Sequence, residues 1–341
     1  MQHTLTQLLD EKPGLRFIFT GGKGGVGKTV SAAAIAIRFA EQGKRALLAS
    51  LNPVHSLSSV FGQPLSGGSV APVKGVSGLF AVEVETHEVV GRYRENIGRR
   101  VREFLKWADI PIDAKPFVDI AVTNPAFEES AMFDKMMDIM LGERGNYDVI
   151  VFDTAAVANA VRLIGLSKIY GLWLGRMIES RKQALSLRVQ LSFRKERVMD
   201  EVKKDPLMAD LINMNERFLQ VKDLLIDPEQ TAFFFVTLPL ALPIAVVKRF
   251  IGMVREYNIP VGGVLVNEVL PTDVVSRHPD ETYLQNKYQE QLGYMRAIKN
   301  DLGELVCGFI PLYDGEVVGL EIVRVVAGDL LKSEPTYWSS L

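Results

Sequence analysis

The chain has 341 residues, 48% of them hydrophobic and 23% charged, with a formal net charge of −2. That length and apolar content suit a globular protein with a large buried core, either two ordinary domains or one large α/β domain with insertions. The near-neutral charge gives no electrostatic basis for nucleic-acid binding, and the single cysteine rules out an intrachain disulfide or a zinc site built from paired cysteines of one chain.

Cys307 lies in the apolar run Leu305–Ile310 and reads as a small buried hydrophobe, and His3, His55, His87 and His278 are scattered. Residues 1–14 lack the basic start and apolar run of a secretory leader. The longest uncharged apolar stretch, Thr231–Val247, is short for a membrane span and carries Pro239 and Pro243. A cytoplasmic protein that is not an integral membrane protein and binds no nucleic acid is expected.

In chain order, the first strand signal is Leu15–Thr20, followed by the glycine-rich run Gly22–Thr29 and a helix over Thr29–Gln42. Ala32, Ala33, Ala34 and Ala36 allow that helix to pack closely, and Gly43 supplies its stop. Further strands are predicted at Arg45–Ser50, Leu79–Glu83, Val149–Asp153, Phe233–Thr237, Val261–Asn267 and Leu305–Ile310, and later helices at Pro243–Tyr257, Pro279–Asp301 and Glu316–Leu331. Several strands are apolar throughout, as expected of parallel strands covered by helices on both faces. The predicted fold class is therefore α/β, a doubly wound, mostly parallel sheet. Two long stretches show helical periodicity with few strand signals. They predict a helical insertion subdomain from residues 88–146 and 159–230, beside a nucleotide-binding domain from 1–87, 147–158 and 231–341. Asp227-Pro228-Glu229-Gln230 marks the return to the sheet.

Gly22-Lys23-Gly24-Gly25-Val26-Gly27-Lys28-Thr29 fits the phosphate-loop pattern G-x-x-x-x-G-K-[ST], after a strand and at a helix start, where that motif works. Glycines let successive backbone N–H groups curl around phosphates, and the helix N-terminus adds partial positive charge. Predicted contacts to ATP or ADP are Gly22, Gly24, Gly25, Val26, Gly27, Lys28, Thr29 and Val30. Lys28 would reach the β- and γ-phosphates, and Thr29 would ligate Mg²⁺. Asp153 ends a strand near the sheet's C-terminal edge and is the second predicted Mg²⁺ ligand, through water; the plainer reading is a strand-end residue capping a helix. For Lys23 the plainer reading is a solvated loop charge.

The loop resembles the deviant phosphate loop of dimeric ATPases that include the ParA/MinD, nitrogenase iron-protein and arsenite-pump groups. In those families the extra lysine, here matched by Lys23, reaches the partner subunit's nucleotide, which implies a homodimer and a catalytic role for Lys23. The likeness continues in chain order. Asn52-Pro53-Val54-His55-Ser56-Leu57-Ser58 resembles the first switch, D-P-A-H-S-L-S, of the ArsA-like family of arsenite-pump and tail-anchored-protein-targeting ATPases. Asp153-Thr154-Ala155 resembles the start of its second switch, and Asn124-Pro125-Ala126-Phe127-Glu128-Glu129 its P-G-x-x-E segment. Asn267, Ile310-Pro311-Leu312 and Glu316-Val317-Val318-Gly319-Leu320 resemble its adenine-side elements and last helix start. Asn267 and Pro311 thereby join the predicted nucleotide contacts. The resemblance runs from residue 15 to about 325 and implies a client-binding role for the helical insertions.

The chain also departs from that pattern. Asn52 stands where the family has a catalytic aspartate; an amide cannot accept a proton but can still position a water, so slow hydrolysis is expected of Lys23, Lys28 and Asn52 acting together. The plainer reading is that Asn52 makes a turn with Pro53. Ala156-Val157-Ala158-Asn159 replaces the second switch's P-T-G-H, Leu240 and Val246 replace glutamates, Arg249 is kept, and C-x-x-C is absent.

Methionine is concentrated in the insertions, at Met132, Met136, Met137, Met140, Met177, Met199, Met208 and Met214. Flexible methionines suit grooves for apolar helices, and Leu166, Tyr170, Trp173, Leu174 and Met177 fall at helical spacing; the alternative is ordinary helix packing, expected of Met132, Met136 and Met140. The basic run Arg176, Arg181, Lys182, Arg188, Arg194, Lys195 and Arg197 reads as a solvated helix face or, less simply, a membrane-surface contact. Three functions fit, in this order: an ATPase whose dimer opens and closes around a hydrophobic helical client or membrane protein, a slow or non-hydrolysing nucleotide switch that recruits a partner, and the ATPase subunit of an oxyanion pump.

Overall fold

In the computed structural model, residues 4–52, 56–107, 111–113, 115–154, 206–332, 335 and 337–341 are described, with scattered positions between 172 and 187. They divide into two compact units, one from Met1–Glu85, Gly142–Val161 and Leu225–Leu341, the other from Thr86–Leu141 and Arg162–Leu224.

The first unit is built on strands β1 (Phe17–Gly21), β2 (Ala46–Ser50), β3 (Ala71–Pro72), β4 (Leu79–Glu83), β5 (Val149–Asp153), β6 (Thr231–Thr237), β7 (Val261–Val269) and β8 (Val306–Pro311). They form one sheet in the order β3-β4-β2-β5-β1-β6-β7-β8. Every neighbouring pair is parallel except the short β3, which runs antiparallel to β4. Every residue of β1, β2, β5 and β6 is buried, as the unbroken apolar runs require. Phe19 of β1 stacks between Phe152 and Phe233 of its two neighbours, with ring centroids 4.8 Å and 4.4 Å away.

The order of strands dictates where the helices go. From β1 the chain moves through α2 (Lys28–Glu41) to β2 on one side, and from β6 through α8 (Ala241–Glu256) to β7 on the other. Right-handed crossovers taken in opposite directions place their helices on opposite faces, and the ends of the strands part where the direction changes. On one face α2 packs on β1, β2 and β5 and against α11 (Leu320–Lys332); α8 packs on β6 and β7 and against α10 (Thr282–Leu302). The core around α2 takes Ile18, Leu48, Val151, Phe234 and Leu265 from the strands, with Cys307 among them, 2% exposed. Burial pushes the Cys307 thiol up to about 12, so it packs as a neutral hydrophobe, as its apolar setting predicts.

All seven predicted strands are present, with ends that move by one or two residues. The two-residue β3 has no apolar run to reveal it. Several helices differ. The predicted Pro279–Asp301 helix begins only at Thr282, behind a turn at Pro279, and α9 (Thr272–Arg277) precedes it. The predicted Glu316–Leu331 helix begins at Leu320, because Gly319 has φ 91 and interrupts any earlier turn. A helix absent from the sequence reading, α1 (Leu5–Glu11), is closed by a capping box in which Thr4 and Gln7 satisfy each other's backbone N–H groups. The short α3 (Leu57–Phe61) completes the first unit.

The second unit contains α4 (Thr86–Trp107), α5 (Lys115–Val122), α6 (Pro125–Gly142) and α7 (Pro206–Ile226). Met136, Met137 and Met140 of α6 are buried, as packing residues rather than groove residues are. Tyr93 meets Phe127 edge-on at 5.1 Å, and ion pairs join Arg94 to Asp119 and Arg217 to Asp138. Leu166, Tyr170, Trp173, Leu174, Met177 and Met199 lie outside the described residues, as does the basic run apart from Arg176, which is exposed.

Truncation of Phe19 to alanine removes the central ring of the aromatic stack from a close-packed site. The expected cost is roughly 3–5 kcal/mol, read as a lower urea midpoint for the nucleotide-free protein.

Candidate functional site

The parallel register lines up four strand-end residues. Thr20 pairs with Asp153, Asp153 with Ser50, and Ser50 with Glu83, across β1, β5, β2 and β4. All four are at most 1% exposed. Buried polar groups need partners: the Thr20 hydroxyl donates to the Phe152 carbonyl of β5, and segments at the sheet's C-terminal edge serve the two carboxylates. Glu83 accepts hydrogen bonds from the backbone N–H groups of Leu57 (2.6 Å) and Ser58 (3.2 Å) and from the Ser58 hydroxyl (2.6 Å), which anchors the start of α3. Asp153 Oδ2 accepts from the Thr29 hydroxyl at 2.7 Å and the Ser50 hydroxyl at 3.3 Å. Thr29 Oγ1 also lies 3.2 Å from Ser56 Oγ, and the Asn52 backbone N–H donates to Ser50 Oγ at 3.3 Å. The two switch-like segments and the loop thus meet at one carboxylate.

The glycine-rich loop joins β1 to α2. Gly27 caps α2 in the left-handed region, φ 91, and a Cβ there would lie 2.2 Å from Asn267 Nδ2. Only glycine satisfies both constraints. Asn267, at the end of β7, donates from Nδ2 to the Val26 carbonyl at 3.0 Å and braces the loop from the neighbouring side. Gly22 has its own steric reason, since a Cβ there would lie 2.4 Å from the Val236 carbonyl oxygen.

A cleft of roughly 550 Å³ opens over this edge. Of the predicted site residues, Gly25, Gly27, Lys28, Thr29, Val30, Asn52, Asn267 and Pro311 line it. Gly22, Lys23, Gly24, Val26 and Asp153 do not. Val26 is a core residue, Gly22 packs on β6, and Asp153 is buried behind Thr29. The Lys23 side chain is exposed, while its carbonyl accepts from Lys28 Nζ at 3.0 Å, an arrangement that holds the Lys28 ammonium at the loop. Pro53, Val54, His55 and the predicted second-switch residues 155–158 lie outside the described residues.

Burial lowers the Lys28 pKa, with Asp153 opposing that shift; burial raises the Asp153 pKa, against its hydrogen bond from Thr29 and the charge of Lys28. Each charge is therefore under-compensated within the chain itself. Asp153 Oδ1 is buried without a hydrogen-bond partner, which fits an acceptor that a cation's water shell could satisfy. The chemistry of the donor set also fits: Thr29 and Asp153 could hold Mg²⁺ together with phosphate oxygens, and loop N–H groups with Lys28 could hold the phosphates.

Several residues of the site escaped the sequence reading. Ser50, Ser56 and Glu83 act as braces, and the in-register strand ends were the available signal. Glu268 and Tyr313 line the cleft, and the Tyr313 hydroxyl donates to Asp329 at 2.7 Å. Nothing local in the sequence marks either one.

A family model described as anion-transporting ATPase matches residues 15–332. The chain is 29% identical over 331 residues to "ATPase GET3B" of Arabidopsis thaliana, covering 93% of this chain and 78% of that protein. It is 30% identical over 329 residues to "ATPase GET3C" of Arabidopsis thaliana, covering 93% and 82%. With "ATPase ASNA1 homolog 2" of Paramecium tetraurelia it shares 26% identity over 335 residues, covering 97% and 98%.

Asp153→Asn keeps an oxygen that can accept from Thr29 and removes the buried charge. Because burial raises the Asp153 pKa, its ionisation destabilises the nucleotide-free fold, and native stability from this group falls as pH rises through the raised pKa. The variant is therefore expected to melt above the wild type at pH 7 without nucleotide, with the gap narrowing as pH falls toward the ordinary carboxylate range. Scanning calorimetry across pH measures it, and a gap that widens on acidification contradicts the assignment.

Proposed function

The chain belongs to the anion-transporting ATPase family, and from that premise we propose that Mg-ATP bound in this cleft opens and closes a homodimer coupled to a hydrophobic helical client or membrane protein. The observation that carries this reading is the convergence on Asp153. Thr29 of the phosphate loop and Ser50, which holds the Asn52 backbone, hydrogen-bond the same oxygen, and Ser56 lies beside Thr29. Gain or loss of a γ-phosphate at the loop would therefore be felt by the segment from Asn52 to α3, which Glu83 tethers at its far end. When bound, Mg²⁺ would neutralise phosphate charge, with Thr29 and Asp153 as its protein-side holders. Lys28 would bind the β- and γ-phosphates, and its lowered pKa in the empty loop would be reversed by the polyanion. Lys23, exposed at the loop, would act on the nucleotide of a second copy.

The helical unit, residues 86–141 and 162–224, is the natural place for a client. Among the described residues no helix is long and apolar enough to cross a membrane. The name of the matched family includes anion transport, but the only cysteine is buried and protonated, which leaves no thiolate for soft oxyanions.

One observation favours a second reading, a switch with little turnover. Asn52 lines the cleft where the resemblance places an aspartate, and an amide cannot take a proton from water.

Three outcomes are expected. Lys28→Ala lowers ATP hydrolysis by about 10²-fold or more, measured as phosphate release. Asn52→Asp raises turnover by at least about tenfold, as a gained general base would; an unchanged rate excludes a water-positioning role for Asn52. Sedimentation with a non-hydrolysable ATP analogue yields a dimer that Lys23→Ala weakens, and the same analogue changes the affinity for a fluorescent apolar helix. A chain that stays monomeric and helix-indifferent with analogue bound would falsify the client-coupled reading.

A further inference from the structure

Glu268 lines the nucleotide cleft in an unusual backbone state. Its φ is 57, in the left-handed region that side-chain-bearing residues seldom enter, and Asn258 is the other such case among the described residues. The strand around it is irregular too. The pairing of β7 with β8 shifts between Val266 and Val269, so Glu268 falls in a bulge at the very end of β7. Bulges beside active sites re-aim side chains, and strained residues persist there because the surroundings hold them. The surroundings here are firm: Asn267 is tied to the Val26 carbonyl, and the Val269 carbonyl accepts from the Leu312 N–H at 2.9 Å. The flanking bonds thus fix Glu268 on both sides, while its exposed carboxylate has no hydrogen-bond or ion-pair partner among the described residues, and partial desolvation is the one influence on its pKa, raising it.

Charge decides which part of a nucleotide such a group can face. A carboxylate beside the triphosphate would repel it, and the phosphate end of the cleft already belongs to Lys28 and the loop N–H groups. Around Pro311, the residues Ile310, Leu312 and Tyr313 give an apolar wall of the kind a planar base packs on, and of the cleft's two carboxylates, Glu268 and Glu316, Glu268 is the one held in a strand bulge beside Asn267.

We propose that Glu268 reads the nucleoside, its carboxylate accepting hydrogen bonds from the N–H donors of the purine base, so that this residue sets base selectivity. The inference rests on the cleft being the ATP site. A charged acceptor paired with a base N–H discriminates against a base that lacks the donor. Position 268 thereby explains why its backbone strain is retained.

The test uses the full chain and isothermal titration with the Mg²⁺ salts of ATP, purine riboside triphosphate, which lacks the amine, and 2′-deoxyATP, which lacks a ribose hydroxyl. Wild type is expected to bind ATP about tenfold more tightly than purine riboside triphosphate. Glu268→Gly adopts φ 57 without strain, so it removes the carboxylate and keeps the backbone; in it the ratio should fall close to one, with the preference over 2′-deoxyATP unchanged. Nucleotide binding with the amine preference intact in Glu268→Gly overturns this inference and leaves the ATP site standing. Loss of the 2′-hydroxyl preference instead assigns Glu268 to the ribose and overturns base reading. Absence of binding by any of the three nucleotides overturns the ATP site and this inference together.

Discussion

The site depends on one row of buried polar side chains at the C-terminal edge of a parallel sheet. Parallel pairing puts the ends of adjacent strands level, and here the level residues are Thr20, Asp153, Ser50 and Glu83, all buried. Thr20 is satisfied within the sheet by the Phe152 carbonyl, but the two carboxylates are not, so loops fold back over the sheet edge to reach them. Thr29 comes from the phosphate loop, the N–H groups of Leu57 and Ser58 from the start of α3, and the Asn52 N–H from the segment between. The same desolvation penalty that would otherwise destabilise the strand ends draws the functional segments to one point. It also explains why Glu83, far along the row from the phosphate loop, belongs to the same construction.

That row makes the nucleotide-free site electrostatically unfinished. Asp153 and Lys28 are both desolvated, and each has a pKa moved by burial toward its uncharged form despite the other's presence. A bound polyphosphate with a divalent cation would bring charges that complete the arrangement. Thr29 and Ser50 are linked to Asp153, and Ser56 to Thr29, by hydrogen bonds. On the other side, Asn267 is tied to the Val26 carbonyl and Leu312 to the Val269 carbonyl.

The helical unit obeys a different logic. Its methionines at 136, 137 and 140 are buried, so composition by itself does not locate a groove. Flexible thioethers serve equally well as filler for irregular gaps between helices and as lining for a variable surface. Only burial separates the two uses, and on α6 it assigns these three to the interior.

From residue order alone, the chain determined its fold class and its phosphate loop. Apolar runs of strand length announce buried parallel strands, and glycines at Gly22 and Gly27 with Lys28 and Thr29 announce a loop whose backbone must do what side chains cannot. These signals are local, carried by spacing within a few residues. What only the tertiary structure decided is which distant residues share an edge. Glu83 reads as a strand end and becomes the anchor of α3; Ser56 becomes the neighbour of Thr29; Glu268 becomes a strained acceptor in the cleft because β7 bulges against β8. The start of α11 at Leu320 and the turn at Pro279 were decided in the same way, by backbone states that a helical pattern does not encode. Register, bulge and burial are relations between segments far apart in the chain, and no spacing within one segment contains them.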